Sequence, residues 1–411
     1  MKHAYCFTPS LKLEGLINFN MRKIITAVIC TVAVNMSFSQ NAIEQLLTQI
    51  ESNNATIKAA QIHLEADKLE LLTGLNPDDP VLEADYLVGR PVSGGDQFEF
   101  TASQGFDFPT AYAKKKQVAE TEGQILGYDV EAVRREVLLK AKILCINGIF
   151  LNRRLSVYSE RKDRTQAITN DYEKKYMAQE ISVLELNKAK IQLLGIDSEL
   201  RSLRTTIRIN NDRLTEMNGG KDLLLEEVEY PLDELPDALE AIKDSVEAND
   251  LKLQVLHAQM NLYQAEIALS KTMALPKFEA GYHYQTVLGQ TFNGGHIGMT
   301  VPLWKKKKIK AKQFKLELGK VLIEEHMNEH HHHLNQSYEQ YLNLKTNLEA
   351  FQRILNSSDN EDLLNQLLLS REIDYITYAM ELGYFYSAQD DMLDIEKDYH
   401  LTIAQLVKYK L

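Results

Sequence analysis

Between Ala42 and Leu75 the apolar residues Ile43, Leu46, Leu47, Ile50, Ile57, Ile62 and Leu69 fall mostly three, four or seven positions apart, the spacing of one helix face. Gly74, Asn76, Pro77 and Pro80 end that helix. The period then drops to two. Leu82, Ala84, Tyr86 and Val88 alternate with Glu83, Asp85 and Leu87, and Phe98, Phe100, Ala102, Phe106 and Phe108 alternate with Glu99, Thr101, Ser103 and Asp107. This predicts a β-hairpin over 80–108 with one apolar and one polar face, closed by a loop from Gly89 to Gly95. From Thr110 to Tyr230 there is no proline, and the stretch 110–218 predicts a long helical hairpin.

The same order of elements then recurs. Ala42, Glu44, Glu51, Asn53, Pro80, Glu83, Ala84 and Tyr86 match Ala238, Glu240, Glu247, Asn249, Pro276, Glu279, Ala280 and Tyr282 at one constant offset. A helix leads to a second hairpin over 276–304, in which Phe278, Ala280, Tyr282 and Tyr284 alternate with Glu279, Gly281, His283 and Gln285. Ile297, Met299, Val301 and Leu303 form its other strand, with Gly289 to Gly295 as the loop, and 305–411 supplies a second helical hairpin. A period this long marks duplication of a structural half rather than a solenoid unit. The repeats are assigned to 40–230 and 231–411. Their helices, at roughly 45 to 60 residues each, would reach roughly 70 to 90 Å. Sparse leucines among many Glu, Lys, Asn and Gln positions suit a laterally packed coiled-coil wall.

Residues 1–39 fall outside this pattern. Met21, Arg22 and Lys23 are followed by the apolar run Ile24 to Val34 and by Ser37-Phe38-Ser39, which reads as a secretory signal with translation starting at Met21. The run is too short to span a bilayer as a helix, and no later segment reaches the roughly 18 uninterrupted apolar residues such a helix needs, so any crossing has to be made by strands. Cys6 and Cys30 lie in the removed region, leaving Cys145 as an inert packed thiol. A net charge of −12 gives no basic footprint for nucleic acid.

Two hairpins are too few to close a barrel or to cover an apolar face, so the strands of several chains have to be pooled. At this point the chain resembles the outer-membrane efflux protein (TolC) family over essentially its whole mature length. The resemblance rests on the duplicated helices bearing Asn53 and Asn249, the strands opening at Pro80 and Pro276, and the strand exits Phe108-Pro109 and Val301-Pro302-Leu303-Trp304. Each exit runs into a lysine-bearing helix start, Lys114 to Lys116 and Lys305 to Lys308. The family's helical-tip pattern is matched by Tyr176 to Glu185 and by Ser370 to Ile376, although the turn glycine common there is replaced by Gln179 and Arg371. The resemblance implies a mainly α protein with a small membrane β-barrel. Three chains would each give four strands to one 12-stranded barrel and four helical strands to a periplasmic α-helical barrel. It further implies an outer-membrane exit duct with a periplasmic extension, working with an inner-membrane pump and a periplasmic adaptor. Type I protein secretion, or a soluble periplasmic coiled-coil scaffold, are the alternatives.

In such a duct Glu83, Asp85, Glu99, Asp107 and Glu279 would line the barrel lumen, while Tyr86, Phe98, Phe100, Phe106, Tyr282, Tyr284 and Met299 would face lipid. Phe108, Tyr112 and Trp304 fall at the membrane interface, and the adjoining lysines would snorkel toward headgroups or water. Ile181, Ser182, Ile373 and Asp374 are the tip residues expected to meet an adaptor. His326, His330 and His333 fall at i, i+4 and i+7 of one helix face beside Glu329, so the three imidazoles either meet a transition metal or form a solvated His-rich face. The metal alternative would fit the heavy-metal efflux branch and a cargo of metal cations. No nucleophile–base pair, phosphate-binding loop or carboxylate dyad has the spacing that catalysis needs, so no enzyme activity and no cofactor are expected.

Overall fold

The computed structural model describes residues 42–90, 95–223, 225, 229–231, 235, 239–357 and 360–411; the signal segment, its start at Met21 and the cysteines at 6 and 30 lie outside them. The first half opens with α1 (42–53) and α2 (Ala55–Thr73), where the apolar spacing predicts one helix. Asn54 makes the break. Its backbone is extended, and its side chain accepts hydrogen bonds from the Thr56 and Ile57 amides, so it caps a new helix. The second half breaks at the matching place. Asp250 separates α5 (Leu239–Ala248) from α6 (Leu251–Thr272) and caps α6 through the Lys252 and Leu253 amides. Breaks of one residue at Asn54 and of two at Asn249 and Asp250 hardly disturb apolar periodicity, which is why the sequence pattern runs straight through them.

β1 (Val81–Leu87), β2 (Gln97–Phe106), β3 (Lys277–Val287) and β4 (Gln290–Thr300) form one antiparallel sheet in chain order. The two hairpins join through β2 and β3, with Phe100 opposite Tyr284 and Ala102 opposite Tyr282. β3 and β4 extend further than their alternation suggests. The expected loop from Gly289 to Gly295 shrinks to Leu288 and Gly289, both at positive φ as a two-residue hairpin turn requires, and residues 290–295 become strand.

Pro109, whose fixed φ suits the first helical position, starts α3 (Pro109–Met177). At 69 residues α3 is longer than expected and reaches about 100 Å. It returns through α4 (Val183–Met217), which runs antiparallel to it. In the second half α7 (Lys306–Ser357) and α8 (Asn360–Leu369) are followed by α9 (Tyr375–Leu406) and a 3₁₀ turn at Lys408–Lys410. α3 packs against α2, α4, α6 and α9, and α7 against α6 and α9.

The largest apolar cluster sits mid-length, where Ile50 and Ile57 on either side of Asn54 meet Ala141, Cys145, Ile146 and Leu214. Cys145 is fully buried, and desolvation pushes its thiol up to about 12, as expected for a packed rather than reactive cysteine. Among the described residues no helix is long and apolar enough to cross a membrane.

Candidate functional site

The register assigns the faces of the sheet. Leu82, Ala84 and Tyr86 stand on the same side as Phe98, Phe100, Phe106, Phe278, Tyr282, Tyr284, Ile297 and Met299. Glu83, Asp85, Glu99 and Glu279 stand on the other side with Thr101, His283 and His296. On that polar side Gln285 donates to Glu99 at 2.8 Å, Thr101 and His283 lie 2.9 Å apart, and His296 lies 3.6 Å from Glu279. Gly281 is required there, since a Cβ would stand 2.5 Å from the His296 ring. The apolar side is bare: Leu82, Tyr86, Tyr282, Ile297 and Met299 are all exposed.

Asp107 stands apart from the other four carboxylates. It lies beyond the end of β2, buried, with Lys115 and Lys277 each 2.8 Å from its carboxylate. It fastens the start of α3 to β3 instead of presenting a free charge, and Lys115 is thereby drawn inward rather than left to snorkel. At the same rim the Tyr112 hydroxyl accepts from the Asp107 amide, and the Phe108 and Phe278 rings are 6.3 Å apart. Trp304 is 90 % exposed.

The four tip residues lie at the two helical turns, but their side chains are engaged within the chain. Ser182 caps α4 and shares a capping box with Glu185, and Asp374 caps α9 by accepting from the Thr377 amide. Ile181 and Ile373 pack onto a cluster of Tyr172, Leu186, Tyr375 and Tyr378. Gln179 and Arg371, standing where a glycine was expected, adopt positive φ values of 61° and 62°. Arg371 then reaches across to Glu180 at 2.9 Å, joining the two tips. The most exposed apolar side chains at the tips are Met177, Leu184 and Leu369; the first two lie within the matched stretch Tyr176 to Glu185 but are not among the four expected contact residues.

The histidine tract lies on α7, and two of its predicted members meet at the α5–α6 joint. The Asp250 carboxylate divides its work. Oδ1 accepts from the Lys252 and Leu253 amides at 2.8 and 3.2 Å, while Oδ2 lies 2.7 Å from His326 Nε2 and 3.4 Å from His330 Nδ1. The ligand-capable atoms of Asp250, His326 and His330 all lie within 4.8 Å of one another. A cavity of about 330 Å³ adjoins them, lined also by Arg135, Asn249 and Lys408. Burial works to raise the Asp250 carboxyl, but hydrogen bonds from His326 and the Leu253 amide outweigh it and hold the carboxyl below its ordinary range. Desolvation holds the His330 imidazole below its ordinary value.

His333 is not part of this group. Its side chain is 72 % exposed and lies 3.7 Å from Glu329, because the short joint faces a single turn of α7 and His333 is two turns beyond His326. His331 turns to Glu247 at 3.7 Å. Asp250 was missed as a partner, although a signal existed: it is the acidic counterpart of Asn54 in the repeat.

No family model matches the sequence, and no curated protein matches it. The fold does have solved relatives. The chain is similar to CusC, described for its transmembrane channel formation, with a TM-score of 0.72 and 12 % identity over 90 % of this chain and 92 % of that one. It is similar to the CmeC outer membrane channel of Campylobacter jejuni at a TM-score of 0.66 and 14 % identity, over 90 % and 85 % of the two chains. The outer membrane protein VceC of Vibrio cholerae aligns at a TM-score of 0.64 and 12 % identity, over 89 % and 95 %. The chain therefore has the fold of these outer-membrane channel proteins, the architecture that its resemblance to the TolC family implies.

Proposed function

We propose that this chain is one protomer of a trimeric outer-membrane exit duct whose helices extend into the periplasm. One observation carries the reading: a four-stranded meander with a bare apolar face and two unpaired edges, β1 and β4, runs directly into two long helices, α3 and α7, of about 100 and about 80 Å. An open sheet edge cannot persist in lipid, so β4 of one protomer pairs with β1 of the next until the ring closes at 12 strands. The side carrying Glu83, Asp85, Glu99 and Glu279 then faces water inside the ring. Phe108, Tyr112 and Trp304 sit at the lower headgroup level.

An open duct conducts but cannot pump, so an inner-membrane pump and a periplasmic adaptor supply energy and continuity. The helical tips are the end presented to the adaptor, with Met177, Leu184 and Leu369 as the apolar contacts and Ile181, Ser182, Ile373 and Asp374 as the scaffold that holds the turns. The carboxylates on the lumen side favour cations, which supports metal ions as cargo.

The test is expression with a native signal followed by fractionation. The protein should resist alkaline extraction from outer membranes, migrate as a heat-sensitive trimer, and give a cation-selective conductance in planar bilayers. A detergent-independent soluble monomer would overturn the reading. For cargo, loss of the gene should sensitise cells to zinc, copper, cobalt or cadmium more than to dyes and antibiotics; the reverse ranking removes the metal assignment and leaves the duct.

A further inference from the structure

We propose that Asp250, His326 and His330 form a binding site for one transition-metal dication of the zinc or copper type, which fastens α7 to the α5–α6 joint. Among the described residues this is the one group of three or more His, Cys, Asp or Glu side chains whose ligand atoms converge closely enough to share an ion. Two imidazoles and a carboxylate are the donor set of borderline dications, with the remaining position open to water from the adjoining cavity.

The repeat supplies the control. At the matching joint Asn54 caps α2 and its amide nitrogen donates to the Met217 carbonyl at 2.8 Å, so a neutral residue satisfies everything that joint requires. Capping alone therefore does not call for a carboxylate at position 250 or for two imidazoles above it. His330 Nε2 is moreover buried without a hydrogen-bond partner, leaving an imidazole whose ring nitrogens are not both used. The carboxylate is already held by two helix amides, and such a second-shell anchor fixes a ligand's direction. Arg135, which lines the same cavity, is spent on Glu131 and on the Asn249 carbonyl, and through that carbonyl the joint is tied to α3. Lys408 also borders the cavity and opposes the ion's charge, so the site is of moderate strength.

The site holds an ion within the helical wall instead of passing it along, so it is separate from the cargo reading above. It is read on the purified chain in any oligomeric state, and its failure would leave the duct untouched.

The experiment uses the full-length protein in detergent, purified through a tag free of histidine and stripped with a chelator, then titrated with Zn²⁺ by calorimetry. One ion per chain is expected, with a rise in the unfolding midpoint of roughly a few degrees at saturation. Co²⁺ in place of Zn²⁺ should give a visible ligand-field spectrum. Asp250→Asn is the central variant, because asparagine keeps the cap as Asn54 does. It should leave the metal-free midpoint near that of the parent and lower Zn²⁺ affinity at least about tenfold, a loss of about 1.4 kcal/mol by the usual conversion. His326→Gln and His330→Gln should do the same to affinity, and His333→Gln should not. No stoichiometric uptake by the parent chain, or Asp250→Asn binding as tightly as the parent, or His333→Gln losing as much as His326→Gln, would overturn the site.

Discussion

Asn54 and Asp250 hold the same position in the two repeats, and each ends a short helix and caps the longer one that follows. They differ in their second partner: Asn54 gives its amide hydrogen to the Met217 carbonyl, and Asp250 receives His326. Asn54→Ala should cost about 1 kcal/mol for the lost cap, with a further cost for the stranded Met217 carbonyl. Asp250→Ala should cost a similar amount, whereas Asp250→Asn should be close to neutral in the absence of metal. Unfolding midpoints of the three purified variants, compared under one scan rate, check the ranking.

Gly219 ends α4 at a φ of +67°, and a Cβ there would stand 2.8 Å from the Asn53 carbonyl oxygen. Backbone lies in the way, so relief requires moving the joint at Asn53, whose side chain is also bonded to Asn218 and Lys221. Gly219→Ala should destabilise by about 1–3 kcal/mol. Gly220 also has positive φ but open space around it, so Gly220→Ala should show the backbone strain alone and a smaller loss. Equal losses in the two variants would mean that the Asn53 contact contributes nothing.

The tips should loosen in acid. The Ser182 amide and hydroxyl hold the Glu185 carboxyl below its ordinary range, and the Thr377 amide does the same for Asp374. A folded-state value below the unfolded one means that the stabilisation is present above the unfolded value, about 4, and is lost as pH falls through the lower folded value. Amide exchange at the starts of α4 and α9, corrected for intrinsic rates, should therefore be flat from pH 7 to about 5 and lose protection below about 4. Glu185→Gln, which removes the titrating carboxyl, should remove the pH dependence at α4 while leaving it at α9.

Cys145 lies in the fully buried cluster beside Ile146, with its thiol pushed up to about 12. A maleimide or disulfide reagent should leave it unmodified in the folded protein at pH 8 and label it fully in denaturant. Labelling at the rate of a free thiol would mean that the cluster opens readily, and mass spectrometry of the intact chain distinguishes the two.

The alternation around Tyr86, Phe98, Tyr282 and Met299 already contained the two faces of the sheet, because side-chain direction in a strand follows from a period of two and nothing more distant. The absence of proline from Thr110 onward through α3 and the breakers around Pro80 and Pro276 likewise placed the long helices and the hairpins. Helix breaks at Asn54 and Asp250 were not legible from periodicity, since a break of one or two residues shifts the phase too little to register. The tip turns were readable in position but not in conformation, because Gln179 and Arg371 take a left-handed backbone that their side chains do not advertise.

What the chain alone determined is local: which residues share a face, where elements begin, and that the molecule is built twice. The tertiary structure decided which distant groups meet. Spacing on α7 grouped His333 with His326 and His330, since helical geometry puts all three on one face. Only the packing of α7 across the short α5–α6 joint exchanged His333 for Asp250, and only the return of β3 beside the start of α3 drew Asp107 between Lys115 and Lys277. Contacts between elements far apart in sequence depend on where whole helices and strands come to rest, and no local period encodes that placement.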